Sequence, residues 1–368
     1  MKTRAAIVYE HDQPLVVEDV ELDAPAPGQA LVKLTASGVC HSDLSVIDGT
    51  IPLPLPAVLG HEGAGIVEEV GAGVKSVKPG DTVMMTFVTP CGHCFHCSRG
   101  RPNICIDHWT APRGFLTDGT QPFHQNGKRF HQMARIGTFA DYTVVSANAL
   151  VPVPSETPLD KAALIGCGVT TGVGAVINTA KVEAGSSMAV IGIGGVGVNV
   201  IQGGVLSGAE KIIAIDVVDG KLEAAREFGA THTVNSHDLD PVETVMGLTD
   251  EVGVDYAFEV IGNPKTVALG FDMTRTGGAV VMIGVPRVDA TLELPAAKIV
   301  YGERRVLGSM YGSSRMHADM PRLLRLYRTG KLKVDELVTE TYAIEQVNEA
   351  FDDLRAGKNI RGLIDFAI

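Results

Sequence analysis

Positive charge is what this sequence has too little of. Its 31 Lys and Arg stand against 43 Asp and Glu, for a net charge of −12. A surface this acidic repels a phosphate backbone, which argues against nucleic acid as a partner. Long apolar runs are also missing: no stretch of about 18 apolar residues occurs, so no membrane span is expected. The N-terminal MKTRAAIVYEHDQP has basic residues but no apolar core of signal-peptide length. A soluble, cytoplasmic protein is the expectation. Cysteine is sparse, six in 368 residues. In a reducing compartment such residues serve as metal ligands or core residues rather than as a disulfide framework. Internal repeats and low-complexity tracts are absent. Aromatics make up 5%, and the single tryptophan, Trp109, packs within a loop or serves an interface.

What is present is more telling. Apolar residues make up 45% of the chain, ample for sizeable cores, and the length points to two or more domains. The 42 glycines fit many tight turns and close backbone approaches. Four of the six cysteines cluster: Cys91, Cys94, Cys97 and Cys105 are separated by two, two and seven residues. Four thiolates at such spacing form the closed tetrahedral site of a structural zinc. An iron–sulfur cluster is the weaker alternative, because the ferredoxin run needs a three-residue last gap followed by proline. Here Cys105 is followed by Ile106. His93 and His96 lie between the ligands as bystanders.

Residues 38–65 read GVCHSD, then an apolar Pro-rich run, then GHEGAG. They supply Cys40 and His61, a thiolate and an imidazole suited to zinc. Asp43 follows the first and Glu62 the second. Two ligands do not make a site. Cys167, in LIGCGVTTGVG over residues 164–174, is the only other cysteine outside the four-cysteine lobe. Taken alone it reads as a small buried core residue; the incomplete Cys40–His61 pair makes it the candidate third ligand.

Short β runs at residues 4–8, 15–20, 30–37, 65–70, 81–87 and 137–145 predict a β-rich, barrel-like first domain without a strong helix signal. Residues 106–136 read as a long loop with a role as interface or site wall. Cys167 is expected to open a helix leading into the second domain. From residue 187 the pattern becomes strand–helix alternation. An apolar strand at 188–191 runs into Gly192-Ile193-Gly194-Gly195-Val196-Gly197, then a helix to about residue 207, then a strand at 211–215 ending in Asp216. That is a dinucleotide fingerprint in its required context. The glycines let a pyrophosphate approach a helix N-terminus. Asp216 stands where a ribose 2′-hydroxyl would be bound, and its charge repels a 2′-phosphate, favouring NAD over NADP. Strands at 254–260, 278–283 and 306–309 and helices at 220–228 and 264–274 complete a doubly wound parallel sheet, so the class is α/β. The histidines at 108, 124, 131, 232, 237 and 317 read as solvated loop or surface residues. The helix at 320–329 has an apolar stripe for the core and a basic solvated face.

Taken together, VCHSD, GHEGAGIVEEVG, the four-cysteine lobe, GCGVTTG, GIGGVG with Asp216, FEVIGN and the closing GKNIRG resemble the zinc-dependent medium-chain alcohol dehydrogenases, in order and over essentially the whole chain. The segment IPLPLPAVLGHEGAG is most like the aryl- and benzyl-alcohol branch. The loop after Cys105 is similar to that of the dimeric class I and class III enzymes, the latter glutathione-dependent formaldehyde dehydrogenases. The resemblance implies a GroES-like barrel catalytic domain over residues 1–168, a Rossmann coenzyme domain over 169–310, and a return to the catalytic domain over 311–368. It implies a catalytic zinc on Cys40, His61 and Cys167, a structural zinc on the lobe, NAD as cofactor, an alcohol or aldehyde as substrate, and a homodimer. Ser42 would take the alcohol proton, Asp43 would support His61, and Glu62 would stand close behind the metal. His41 and Arg361 would lie near the pyrophosphate. Thr171 and Val196 would pack on the nicotinamide, Lys221 would contact the adenosine ribose, and Ile261, Ile283 and Val285 would be further cofactor contacts. Phe87 would wall the substrate pocket. Many members carry a His five residues after the first ligand; Ser45 stands there in this chain, leaving Ser45, water or His41 as the outer proton path. A primary-alcohol dehydrogenase, a thiol-adduct formaldehyde dehydrogenase of the glutathione or mycothiol type, and a non-catalytic zinc and nucleotide binder are the competing readings.

Overall fold

Strands rich in Val, Ile and Ala build both halves of the molecule. The computed structural model describes all 368 residues, Met1–Ile368. They group into two units: residues 1–167, 315–330 and 334–368 form the first, and 168–314 with 331–333 the second.

The first unit contains two sheets. In one, Lys2–Val8 pairs antiparallel with Val16–Leu22 and with Ala57–Val58. In the other, the long strand Gln29–Val39 is the hub, paired antiparallel with Gly63–Val70, Tyr142–Ser146 and Arg361–Asp365. The last pairing stitches the C-terminus beside the Cys40 end of the hub strand. Alternating side chains from this strand and its neighbours fill a core of Val32, Leu34, Val67, Val83 and Val145. The 106–136 segment is more ordered than a loop: it holds a helix at Ile106–Thr110 and short strands at Phe123–Gln125, Lys128–Arg129 and His131–Gln132. A helix also occurs where no strong signal was expected, His41–Ile47, directly after Cys40.

The second unit is a six-stranded parallel sheet. Its order is His232–Asn235, Lys211–Asp216, Ser187–Ile191, Val254–Glu259, Thr274–Met282, Arg305–Gly308. Numbered along the chain this is 3-2-1-4-5-6, the order of a dinucleotide-binding sheet with its switch point at the first strand. The strand at Arg305–Gly308 is an edge. The strand His232–Asn235 and the helix Pro241–Leu248 lie beyond the sequence expectation.

Leu159–Ala180 is a 22-residue helix, long and apolar enough to cross a membrane by length and composition alone. That qualifies the expectation of no such stretch. Of its apolar window 78% is buried inside the protein, as for a core helix. Cys167 therefore lies within this helix rather than opening it, in a π-helical turn at Ile165–Val169. Single π turns inside α-helices recur at functional sites because the extra residue per turn re-aims a side chain.

Candidate metal and coenzyme sites

Helix His41–Ile47 begins with a reciprocal cap that also builds the site. Asp43, third in the helix, accepts from the Cys40 N–H at 3.2 Å. Its other oxygen accepts from Gly60 N–H at 3.0 Å and from His61 Nδ1 at 3.1 Å. A carboxylate on Nδ1 fixes the proton there and leaves Nε2 as a lone pair. That Nε2 is buried and has no hydrogen-bond partner. Buried polar atoms are nearly always satisfied, so an orphan points to a missing ligand. Cys40, His61, Glu62 and Cys167 converge on it: one ligand atom from each lies within 4.8 Å of the others, and all four residues are buried. Two thiolates and one neutral imidazole cancel the charge of a divalent ion and match a three-ligand zinc site with an open position.

On their own, these buried groups hold protons that a bound cation would displace. The Cys40 and Cys167 thiols share a hydrogen bond that draws Cys40 down towards thiolate and pushes Cys167 up. A divalent cation is what would let both ionise. Burial opposes a charge on His61, but Asp43 and Cys40 outweigh it and raise its pKa well above the usual value, so a metal binding at Nε2 would compete with a proton there. Burial, with Cys40 nearby, pushes Glu62 up to about 7 against the pull of Arg361. Arg361 is only 4% exposed and donates to Glu62 Oε2, while Glu62 Oε1 lies 3.9 Å from His61 Nε2. The resemblance puts Arg361 near a pyrophosphate. The structure shows the partner it missed, a buried carboxylate 299 residues away. The available signal was a lone charge in each of two apolar stretches, GHEGAG and NIRGLI. Gly38 makes room for this pair, since a Cβ there would lie 2.3 Å from Glu62 Oε2.

Around these residues, Ser42 is half-buried and His41 exposed at the start of the same helix. Phe87 sets its ring edge-on to His61, centroids 5.9 Å apart.

The four-cysteine lobe closes on itself. Cys91, Cys94, Cys97 and Cys105 bring their sulfurs within 4.8 Å of one another. Cys94 and Cys105 sulfurs are 4.0 Å apart, near the edge of roughly 3.8 Å expected for a tetrahedron with metal–sulfur bonds of about 2.3 Å. Backbone N–H groups of Cys91 and Cys94 point at Cys105 and Cys91 sulfurs, each at 3.3 Å. His93 and His96 are not in this cluster; His93 faces Asp107 at 3.6 Å. His108, expected on the surface, is instead buried. Its Nδ1 accepts from the N–H of Thr89, so it ties the two ends of the lobe together.

In the second unit the glycines act individually. Gly192 has φ +97°, and a Cβ on it would meet Ile261 at 2.7 Å. Gly197 lies against the Gly192 carbonyl, where a Cβ would stand 2.1 Å away. Gly194, at the start of helix Gly195–Ser207, faces open space. Asp216 clasps this turn: Oδ2 accepts from Ile193 N–H at 2.7 Å, and Oδ1 from the N–H groups of Val217 and Val218. Val196, Thr171 and Lys221 are half-buried. Ile283 is close to fully buried, while Ile261 and Val285 are exposed at the carboxyl ends of their strands. A glycine opened to space at a helix start, with a carboxylate and exposed apolar side chains at the sheet's carboxyl edge, fits a dinucleotide.

A three-donor metal pocket and a dinucleotide-binding sheet on one chain define a metal- and nicotinamide-dependent oxidoreductase. The chain matches the family model of the alcohol dehydrogenase GroES-like domain over residues 26–155 and that of the zinc-binding dehydrogenase over residues 195–329. It is 42% identical to the NDMA-dependent alcohol dehydrogenase of Amycolatopsis methanolica, over 99% of each chain. Among solved structures, benzyl alcohol dehydrogenase from Acinetobacter calcoaceticus superposes with a TM-score of 0.94 at 33% identity, over 99% of each chain. An alcohol dehydrogenase zinc-binding domain protein from Burkholderia ambifaria gives 0.94 at 35%, with the same coverage. The chain belongs to the zinc-dependent medium-chain alcohol dehydrogenases, and it is an enzyme of alcohol oxidoreduction.

Proposed function

We propose that the protein interconverts primary alcohols, aromatic or aliphatic, and their aldehydes, with NAD as hydride acceptor and zinc on Cys40, His61 and Cys167. The observation that carries this reading is the orphaned, buried Nε2 of His61 among two thiols. Bound there, zinc supplies Lewis acidity toward a substrate oxygen, and the nicotinamide supplies hydride exchange. The protein's own groups do the rest. Asp43 holds the His61 tautomer, Ser42 relays the hydroxyl proton outward, and the ring of Phe87 shapes and dries the pocket. Behind the ligands, Glu62 and Arg361 form a buried pair with Gly38 packed against it. The same Ser42 and complete donor set argue against a non-catalytic binder, which needs neither. A second zinc on the four-cysteine lobe is part of this reading, as is a reducing cytoplasm, which keeps all six cysteines free as ligands.

A homodimer is also proposed, paired across the Arg305–Gly308 edge. That strand has one neighbour in the sheet. Near it in sequence, helix Ala296–Tyr301 buries none of its residues, and Val300 and Tyr301 are 71% and 87% exposed. An open strand edge and exposed apolar side chains are what a two-fold partner covers.

The test is a turnover screen of the purified protein with ethanol, benzyl alcohol, a long ω-hydroxy acid, and formaldehyde with glutathione or mycothiol. NAD, NADP and the acceptor NDMA are each supplied. Alcohol oxidation with NAD is the expected result. Turnover of formaldehyde alone, and only with a thiol, would replace this substrate class by the thiol-adduct one. No turnover in any arm would leave the binder.

A further inference from the structure

Glu259 ends the strand Val254–Glu259 and is 0% exposed. Its carboxylate is held by neutral donors. Oε1 accepts from the N–H groups of Ile261 at 3.0 Å, Gly262 at 2.9 Å and Asn263 at 3.3 Å, and from the Thr266 hydroxyl at 2.7 Å. Oε2 shares the Gly262 N–H at 3.1 Å. Thr266 lies in the first turn of helix Pro264–Met273, the end at which a helix favours negative charge. The main-chain carbonyl of Glu259 accepts from the N–H groups of Ile283 at 2.8 Å and Gly284 at 3.1 Å, just past the strand Thr274–Met282. One residue thus fixes two loops at the carboxyl edge of the parallel sheet, one through its side chain and one through its backbone.

The two loops then lock together. A Cβ on Gly262 would stand 2.6 Å from the Val285 carbonyl oxygen, and one on Gly284 2.0 Å from the Gly262 nitrogen. Held this way, Ile261 lies over Gly192 of the glycine turn. Ile261 and Val285 leave more than half their surface outward, 54% and 57%. Exposed apolar side chains on rigid loops at this edge form a platform where open α/β sheets take their ligands.

We propose that Glu259 is a positioning residue of the coenzyme site: its buried carboxylate shapes the 261–263 loop so that Ile261 and Val285 form an apolar rest for the dinucleotide. This rests on the reading of the second unit as the coenzyme unit. Glutamine is a poor substitute. Its amide keeps a single, uncharged acceptor for the donors on Oε1 and puts an NH2 where Oε2 now shares the Gly262 N–H, so the charge is lost and that N–H meets a donor.

The experiment titrates NADH by fluorescence onto wild type, Glu259→Gln and Thr266→Val, and follows hydrogen exchange at the amides of residues 261–263. Losing hydrogen bonds to a charged acceptor should weaken NADH binding about tenfold in Glu259→Gln and about threefold in Thr266→Val. Exchange at the three amides accelerates in both, while the zinc content of the first unit is unchanged. In turnover, KM for NAD rises while kcat at saturation is kept. A merely architectural role would instead lower the melting temperature and the active fraction and leave the affinity of the folded protein as it was. Wild-type NADH affinity in both variants would overturn the assignment; if Glu259→Gln does not fold, Thr266→Val decides. Wild type binding neither NADH nor NADPH would overturn the coenzyme reading itself, and this one with it.

Discussion

His108 shows how burial sets the chemistry of a single side chain. Its ring packs edge-on to Trp109, centroids 4.9 Å apart, and its Nδ1 accepts from Thr89. Burial first, and the Arg135 guanidinium second, push its pKa down to about 3. Arg135 is itself buried, with its N–H groups on the carbonyls of His108, Ala111, Pro112 and Phe115. In the unfolded chain a histidine titrates near ~6.5, so below that pH the unfolded state binds a proton that the folded state refuses. The His108 contribution is therefore intact above about pH 6.5 and is lost as pH falls towards about 3, by up to about 1.4 kcal/mol per pH unit. His108→Asn keeps an acceptor for Thr89 and removes the titration. Urea denaturation with saturating zinc should show a shallower acid loss for the variant than for wild type between about pH 6.5 and about pH 5. Parallel slopes would contradict the assignment. Asp216 carries a second prediction at this scale. Its carboxylate already orders the glycine turn through Ile193, so Asp216→Gly should raise KM for NAD and narrow the preference over NADP, with zinc content unchanged. An unaltered ratio of kcat/KM values would remove Asp216 from cofactor choice. Local chemistry is legible in the sequence where a motif is contiguous, as in the glycine run 192–197 followed by Asp216. His108 was misread because nothing local says that a loop folds back over a ring, and the Glu62–Arg361 pair was invisible as a pair because its partners are 299 residues apart.

Among the elements, the four-cysteine lobe was readable from spacing alone, because consecutive short gaps leave the chain few ways to turn except around an ion. The helix carrying Cys167 was less so. Its pattern is apolar over most of its length, and the π turns at Ile165–Val169 and Ala175–Ala180 are departures of about one residue per turn that composition does not encode. The 106–136 segment was read as a loop because its strands are only two or three residues long, too short for period-two alternation to register. The lobe should matter for stability rather than for chemistry. Cys91→Ser should remove the lobe's zinc, lower the unfolding free energy by several kcal/mol, on the order of what closed zinc sites contribute to folding, and leave the Cys40 cluster loaded. Metal analysis and denaturation of the variant check this; unchanged zinc content and stability would mean that the four thiols hold no ion.

For the whole molecule, a doubly wound parallel sheet follows from the alternation of strands and helices, but the order 3-2-1-4-5-6 and its third strand do not. The His232–Asn235 strand is only half-buried and lacks the apolar run that marks an interior strand. The edge at Arg305–Gly308 leads to the prediction that concerns assembly. Light scattering should give the mass of a dimer, and Val306→Lys, placing a charge on that edge, should shift the protein towards monomer. A tetramer mass, or a dimer indifferent to the substitution, would place the interface elsewhere.

The central claim is that alcohol oxidation depends on a zinc held by Cys40, His61 and Cys167, distinct from the ion of the lobe. The most direct measurement is zinc content and benzyl alcohol turnover of wild type and Cys167→Ala, side by side, with NADH binding as a control for the second unit. The expected result is one ion for each of the two cysteine clusters in wild type, loss of the single ion outside the lobe in Cys167→Ala, turnover abolished, and NADH still bound. A variant that kept both its full zinc content and its turnover would contradict the account.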